Sequence, residues 1–199
     1  MFAVGHLALG YLTGKTTSRL LEVKISTPLL FLASVLPDID FFLGLEHRGP
    51  THSVIVYAVG FLPILLVYGK RFLPVLAALT QHSLLGDILT GGGVQILWPA
   101  TSKWYGLQLC VTSPLSFSME WTAFLLFLLL FWRTNDARSF LQGRQLNLLL
   151  TIPAFAIILP SFLGFPMAVP IALVGPHLVL LAILSISMIT GLRHISRNP

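Results

Sequence analysis

Residues 37–53 read PDIDFFLGLEHRGPTHS and place two aspartates, a glutamate, two histidines and an arginine in a chain that is otherwise apolar. A second polar group, HSLLGD at residues 82–87, interrupts another apolar run. Charged side chains cost about 2.5–3.5 kcal/mol each at the centre of a membrane helix on insertion scales, so they tend to mark functional positions. We interpret the two groups, together with His6, as one metal site at the outer end of a helical membrane protein.

The composition identifies the class of protein. Of the 199 residues, 55% are hydrophobic and 10% are charged, and the mean hydropathy is +0.86. A soluble domain has about 25% charged residues. Several apolar runs are long enough to cross about 30 Å of hydrocarbon. The sequence therefore predicts an all-α, polytopic membrane helix bundle that forms a single membrane-embedded domain over residues 1–199, with the metal site in residues 1–99 and supporting helices in residues 100–199.

Seven apolar segments are predicted to span the membrane. They lie at about 3–20, 28–45, 52–69, 73–90, 118–132, 146–163 and 170–191. The first segment lacks a basic start and a clear cleavage site, so we expect a retained helix rather than a signal peptide. Thr51 precedes the third segment, and its hydroxyl is suited to capping a helix N-terminus. The long connection 91–117 contains Trp98, Trp104 and Tyr105, which are typical of the headgroup layer.

The basic residues predict an orientation. The connections after the first, third and fifth segments and the C-terminal tail hold Lys15, Arg19, Lys24, Lys70, Arg71, Arg133, Arg138, Arg144, Arg193 and Arg197. The other side holds Arg48 and Lys103. Because cytoplasmic loops carry the excess of Lys and Arg, we predict an external N-terminus and a cytoplasmic C-terminus in the cytoplasmic (inner) membrane. These basic residues orient the protein and do not indicate nucleic-acid binding, so membrane lipids are the expected partners.

Residues with metal-binding side chains collect on the predicted outer side. They are His6, Asp38, Asp40, His52, His82 and Asp87. Imidazole nitrogens and carboxylate oxygens are ligands of Zn²⁺, and a catalytic zinc keeps one position open for water. The set is large enough for one ion, or for two ions with a bridging carboxylate. Cys110 is the only cysteine, which excludes a thiolate cage and an internal disulfide.

The spacing of these residues constrains the backbone. Asp38 and Asp40 would be about 200° apart on an ideal helix, and Pro37 removes a backbone donor. We therefore predict that the second helix ends or unwinds near Asp38.

His82 and Asp87 would be about 140° apart on an ideal helix, so they are not a regular chelating pair. Two arrangements are open: the two residues bind different ions, or Gly86 lets the turn deform.

Three further polar residues have no assigned role. His47 is equally well explained as a solvated loop residue. Glu120 opens the fifth segment, where the helix dipole favours an acid. A single membrane histidine such as His177 is more often a helix–helix hydrogen-bond partner than a metal ligand.

Several blocks of the sequence resemble a known family. The blocks are GHLALGY, LPDID, HRGPTHS and HSLLGDILTGGGVQILWP, in this order over residues 5–99. They resemble the membrane-bound metal-dependent hydrolases of bacteria and archaea, whose best-known member is a LexA-controlled inner-membrane protein. The resemblance implies hydrolase activity and metal binding by the same six residues. The His/Asp order is also remotely similar to that of the zinc-dependent phospholipases C, although this chain lacks a counterpart of their later cluster of histidines and glutamate.

Two functions are compatible with these residues. The first is a metal-dependent hydrolase that cleaves lipid phosphoesters at the outer face with metal-activated water, whose pKa is lowered toward about 7. In this hypothesis Asp40 is the base or a bridging ligand, and the planar guanidinium of Arg48 binds the developing phosphate charge. The second is a non-enzymatic transporter of metal ions or protons, since buried His and Asp chains also form ion paths. The apolar inner half of the bundle favours the hydrolase.

Overall fold

The computed structural model describes the backbone of residues 1–197 as a bundle of helices; the side chain of Arg197, counted above among the basic residues, lies outside the described part. No strand occurs within residues 1–197, so the prediction of an all-α membrane helix bundle is confirmed. The α-helices are α1 (Ala3–Leu20), α2 (Thr27–Val35), α3 (Asp40–Leu43), α4 (Val54–Tyr68), α5 (Leu73–Gln81), α6 (Pro114–Arg133), α7 (Asp136–Phe140), α8 (Thr151–Ile158) and α9 (Ile171–Arg197). Shorter 3-10 or π-helical turns extend them at Leu36–Ile39, His82–Asp87, Gln145–Leu150 and Leu159–Leu163.

Four helical stretches of the described chain are long and apolar enough to cross a membrane. They are Val54–Asp87, Pro114–Arg133, Gln145–Leu163 and Ile171–Ser196. The first stretch is a hairpin, because Gly69 (φ 61°, ψ −152°) interrupts the helix and the hydroxyls of Tyr57 and Ser83 lie 2.8 Å apart. In a straight helix these two residues would be about 39 Å apart. α2 has nine residues, which is about 14 Å of helix. The predicted count of seven spans is therefore not confirmed.

α1 packs in the middle of the bundle against α2, α5 and α6. Small residues let α2 come close: a methyl group at Gly10 would lie 1.7 Å from the hydroxyl oxygen of Ser34, and one at Gly14 would lie 2.5 Å from Leu30. Small residues allow such close approach between membrane helices. α1 is the least apolar of the predicted segments because its neighbours are protein rather than lipid.

Aromatic rings fill the core around α1. The buried residues of this aromatic core are Tyr11, Phe31, Phe127, Phe131 and Phe140. Their ring centroids lie 5.1–6.1 Å apart, mostly in edge-to-face pairs, which is the preferred arrangement of aromatic pairs. This part of the bundle is therefore closely packed and apolar.

An ion pair lies toward the other end of α1 from His6. Lys15 Nζ lies 2.5 Å from Asp136 Oδ2, and the Tyr11 hydroxyl donates to the same oxygen at 2.7 Å. Burial alone would raise the pKa of Asp136, but these two donors outweigh it and lower the pKa. His6 and Lys15 are nine residues apart, about 14 Å along the helix. The histidine end and the basic end of α1 are thus separated by more than two turns.

The connection between α5 and α6 folds back over the polar loop that precedes α4. The Gln95 amide donates to the Arg48 carbonyl at 2.9 Å, and the Val54 amide donates to the Ile96 carbonyl at 3.0 Å. These two hydrogen bonds hold the loop of residues 44–53 against the connection between α5 and α6. The expected headgroup location of the exposed Trp104 stays a prediction.

The N-cap of α4 is Ser53, whose hydroxyl oxygen accepts from the Ile55 amide at 3.1 Å. The prediction that Thr51 caps this helix is wrong, because the helix begins at Val54 and Thr51 lies within the preceding 3-10 turn, Pro50–His52. The Thr51 hydroxyl instead contacts Asp40 and His52.

Candidate metal centre

Asp38 and Asp40 lie where α2 ends. Regular α-helix stops at Val35, and the 3-10 turn Leu36–Ile39 follows. This confirms the prediction that the second helix ends or unwinds near Asp38. The Asp38 side chain is 28% exposed, whereas Asp40 is fully buried. The change of helical geometry therefore gives the two acids different environments.

A π-helical turn brings His82 and Asp87 together. Residues 82–87 form this turn at the end of α5, and in a π-helix residues five apart are hydrogen-bonded neighbours. Asp87 Oδ2 lies 3.4 Å from His82 Nε2, so of the two arrangements left open the structure has the deformed turn. Gly86 leaves room for His6, because a methyl group at Gly86 would lie 2.4 Å from Cε1 of the His6 ring.

Two imidazoles and two carboxylates converge on one point. His52 Nε2 lies 3.5 Å from Asp38 Oδ1 and 3.4 Å from Asp87 Oδ2. His82 Nε2 lies 3.4 Å from each of the same two oxygens. These separations exceed the 2.7–3.2 Å typical of an N–H···O hydrogen bond. Two atoms bound about 2.0–2.1 Å from a tetrahedral zinc ion lie about 3.3–3.4 Å from each other, so each of these four separations suits two ligands of one cation. His52, His82 and Asp87 form one metal-capable group, with donor atoms within 4.8 Å of one another, and Asp38 shares such groups with each of the two histidines.

Three of these four atoms lack another partner. His52 Nε2, His82 Nε2 and Asp87 Oδ2 are buried and make no hydrogen bond. A buried polar atom left unpaired costs about 1–3 kcal/mol. A divalent cation would pair with all three atoms, since imidazole nitrogens and carboxylate oxygens are its usual ligands.

The remaining ring nitrogens are oriented by neighbours. His82 Nδ1 lies 2.6 Å from the Ser34 carbonyl oxygen and must therefore donate a proton to it. His52 Nδ1 lies 3.0 Å from Thr51 Oγ1 and 3.3 Å from Asp40 Oδ2. Metal-binding histidines usually donate their second N–H to a carbonyl or carboxylate, which fixes the tautomer. Both rings thus present the lone pair of Nε2.

Asp40 lies behind His52, on the side away from the converging atoms. Its Oδ2 accepts from Thr51 Oγ1 at 3.0 Å and from the Arg48 amide at 3.2 Å, and it lies 3.2 Å from His47 Nδ1. Asp40 belongs to none of the metal-capable groups in the described residues. Its contacts are those of a carboxylate that orients an imidazole, while its predicted roles as base and bridging ligand stay predictions.

Two overlapping groups extend the centre on either side. His6 joins Asp38 and His82, and His47 joins Asp38 and His52, with ligand atoms within 4.8 Å in each group. The His6 ring stacks on that of His82 at 3.6 Å, and its Nδ1 is buried without a hydrogen-bond partner. These groups have enough donors for the second ion that the sequence allowed.

Arg48 connects the centre to the space beside it. Its Nη2 lies 3.0 Å from Asp87 Oδ1, the oxygen that faces away from the two imidazoles. The guanidinium lies over Gly91, where a methyl group would come within 2.1 Å of Nη1. Arg48 Nε is buried and makes no hydrogen bond, so this cation retains a donor for a further anionic group.

The comparison with known protein families gives one match. A sequence model of the YdjM inner membrane protein family matches residues 1–190. The chain belongs to the YdjM inner membrane protein family. No curated protein and no solved structure matches the chain. Together with the four apolar helical stretches, membership of the YdjM family supports a multi-pass inner-membrane location. The family description names neither an activity nor a metal, so the likeness to hydrolases and to phospholipase C stays a prediction.

Glu120 and His177 lie outside the metal-capable groups found in the described part of this YdjM-family chain. Glu120 is in the second turn of α6, because that helix begins at Pro114, so the predicted position at the start of its own helix is wrong. Glu120 instead contacts the N-terminus of α1, where its Oε1 accepts a hydrogen bond from the Phe2 amide at 2.9 Å. His177 Nδ1 contacts the Leu173 carbonyl at 2.8 Å.

Two residues that contact the centre were missed from the sequence. Ser34 contributes only its backbone oxygen, for which a sequence has no signal. Thr51 precedes His52 directly, and its position in HRGPTHS could have suggested a contact. Its assignment as a helix cap concealed this role.

A cavity of about 930 Å³ opens beside the centre. The polar residues at one end of it include His6, Asp38, His47, Arg48 and Asp87. The remaining lining is mostly apolar. It comes from residues 1–3, the end of α2 and the turn after it, α3, residues 91–92 and 108–111 of the connection between α5 and α6, α8 and the segment after α8. The centre of this YdjM-family protein is therefore reached through an apolar cavity.

Proposed function

We propose that this YdjM-family protein is a metal-dependent hydrolase of the inner membrane that acts on lipid phosphoesters. The observation that carries the proposal is the convergence of His52, His82 and Asp87, whose donor atoms lie within 4.8 Å of one another, with Asp38 Oδ1 3.4–3.5 Å from both imidazole nitrogens. Zinc is the first choice, because its usual ligands include imidazole and carboxylate. The resemblance of residues 5–99 to membrane-bound hydrolases supports the same reading.

Each residue of the centre, and each of its neighbours Arg48 and Asp40, has its own role in the proposal. His52, His82 and Asp87 would hold the ion and leave its fourth position open to water. When bound, the ion would lower the pKa of that water and polarise a phosphoryl oxygen. Asp38, the most exposed of the four converging residues, lies toward the cavity, where a substrate would approach. Arg48 binds a phosphate oxygen, since a guanidinium pairs well with phosphate. Asp40 holds His52 in the tautomer that binds metal.

The transport alternative requires a polar path through the bundle. Beneath the centre lie Tyr11, Phe31 and Phe127, which are fully buried and packed on one another. Ion paths are lined by polar groups or water, so this packing favours hydrolysis.

Purified protein in nanodiscs that contain labelled phospholipids tests the proposal. We expect metal-dependent release of the labelled headgroup, abolished by a chelator and by His52→Ala. Asp40→Asn should lower metal affinity by about 10–100-fold, because it weakens the support of a ligand without removing one. Inductively coupled plasma mass spectrometry and the hydrolysis rate at several metal concentrations separate the two effects.

The exposed glutamate Glu46, in the loop that follows α3, provides the matched acid-to-amide control, and Glu46→Gln should hydrolyse like the wild type. Equal hydrolysis rates in the wild type and His52→Ala would contradict the proposal that the protein is a hydrolase. Metal-dependent ion uptake into liposomes without any hydrolysis would favour the transporter.

In the proposal the metal centre faces the outside of the inner membrane. The basis is the excess of basic residues at the opposite side. Cys110 tests this directly, because it is exposed, it lines the cavity and it is the only cysteine. We expect a membrane-impermeant maleimide to label Cys110 in intact spheroplasts.

The control is a Cys110→Ser, Gln142→Cys double variant. Gln142 is exposed and follows α7, the helix that pairs with Lys15 through Asp136. It should react only after the membrane is permeabilised. Labelling of Gln142→Cys but not of Cys110 in intact spheroplasts would reverse the orientation.

A further inference from the structure

We infer that the cavity beside the metal centre is an acyl-chain subsite, which holds one membrane lipid with its phosphoester at Arg48 and its hydrocarbon chain along α8. This inference rests on the proposed function and adds how the substrate is held and from where it enters.

One end of the cavity suits an anionic headgroup. Arg48 lines the cavity; its Nη2 lies 3.0 Å from Asp87 Oδ1, and its buried Nε makes no hydrogen bond. His47 lies at the same end, with its ring stacked on Phe41 at 4.1 Å. Asp38, one of the four converging donors, also faces the cavity. A phosphoester at this end would thus contact a cation and the metal centre together.

The rest of the cavity suits hydrocarbon. Its apolar walls include Phe42 of α3, Phe155 and Ala156 of α8, and Phe165 of the loop after α8. Ligand cavities of drug-sized molecules are about 300–1,000 Å³, so a volume of about 930 Å³ is at the large end. Apolar walls next to one cationic end match the two parts of a lipid.

The mouth of the cavity is apolar and exposed. The side chains of Phe42, Phe155 and Phe165 are 68%, 54% and 44% exposed. The rings of Phe42 and Phe165 lie 6.4 Å apart and bring α3 close to the loop after α8. In a chain of this class such surface faces lipid, because exposed apolar rings are unfavourable in water. A lipid would therefore enter sideways from the bilayer, without passing through water.

An acyl chain gains little free energy by moving from the bilayer into such a cavity, because lipid tails are as apolar as leucine side chains. The subsite would therefore act by holding the phosphoester in the position for attack. Filling the cavity should slow the reaction of a lipid and spare that of a small, water-soluble phosphoester.

Ala156→Trp fills the cavity from α8, where Ala156 is half-buried and lines the wall. The two substrates are a long-chain fluorogenic phospholipid in nanodiscs and soluble bis(4-nitrophenyl) phosphate. We expect kcat/KM for the phospholipid to fall at least about tenfold, and that for the soluble ester to stay within about twofold. The matched control is Ala182→Trp on the exposed side of α9, which should change neither rate.

A binding measurement separates this inference from the proposed function. A phospholipid with a photoreactive group in its acyl chain should crosslink to residues 152–167 in wild type and much less in Ala156→Trp, with or without metal. Crosslinking without hydrolysis of either substrate would support the lipid subsite and contradict the proposed hydrolase function. An equal loss of both activities, an unchanged lipid rate, or crosslinks spread evenly over the bundle would overturn the inference.

Discussion

His82→Ala is expected to abolish metal binding by the purified protein, from roughly one tightly bound ion per chain to less than about a tenth of that, as for a tetrahedral site that loses a ligand. The reason is geometric. His82 Nε2 lies 3.4 Å from both acids of the centre, so its removal takes away one of the three donors of the group formed by His52, His82 and Asp87. Inductively coupled plasma mass spectrometry after dialysis measures the result.

Another histidine provides the matched control. His194 is exposed near the end of α9 and outside the metal-capable groups of the described chain, so His194→Ala should keep its metal. Because an ion that binds only the folded protein raises stability, added Zn²⁺ should raise the Tm of wild type and of His194→Ala, but not that of His82→Ala. A His82→Ala protein that keeps its full metal content would contradict the assigned centre.

The donor types at the centre could be predicted from the sequence, because a membrane penalises acids and imidazoles that have no function. The unwinding near Asp38 could also be predicted, since the period of a helix would send Asp38 and Asp40 to different faces. The π-turn at His82–Asp87 could be named only as one of two alternatives. It depends on the His6 ring that packs over Gly86 from another helix, which no local pattern contains.

Asp40 shows where residue types stop being informative. Its chemistry is the same as that of Asp38, and the sequence treats both as ligands. The difference comes from the 44–53 loop, where Arg48 has a positive φ of 65° and turns its amide toward the Asp40 carboxylate. The conformation of that loop depends on Gln95, more than forty positions away in sequence.

The number of membrane-spanning helices could not be predicted from hydropathy alone. Apolar composition does not distinguish a helix surrounded by lipid from one surrounded by protein, and α1 belongs to the second kind. The hairpin at Gly69 joins two short apolar helices that contact each other through Tyr57 and Ser83. Each segment was correctly expected to be helical, yet length and packing decide which stretches can cross the bilayer.

Asp87→Asn should cause a large loss of the proposed activity, although it leaves both imidazoles of the centre in place. The two oxygens of Asp87 serve different partners: Oδ2 faces the imidazoles of His52 and His82, and Oδ1 holds Arg48 Nη2 at 3.0 Å. An asparagine keeps the shape but removes the charge, so both the ion and the guanidinium lose a partner. We expect kcat/KM for a phospholipid to fall by about 10²–10³-fold, the range seen when a group that stabilises transition-state charge is removed.

The size of this loss can be divided between binding and chemistry. If Asp87 acts only by holding the ion, saturating metal should restore the rate of Asp87→Asn, whereas an additional role through Arg48 predicts a defect that persists at saturation. Glu46→Gln, an acid-to-amide change in the exposed part of the neighbouring loop, should stay within about twofold of wild type, as surface changes usually do. A near-normal rate for Asp87→Asn at low metal would show that this carboxylate neither holds the ion nor positions the arginine, because either task requires its negative charge.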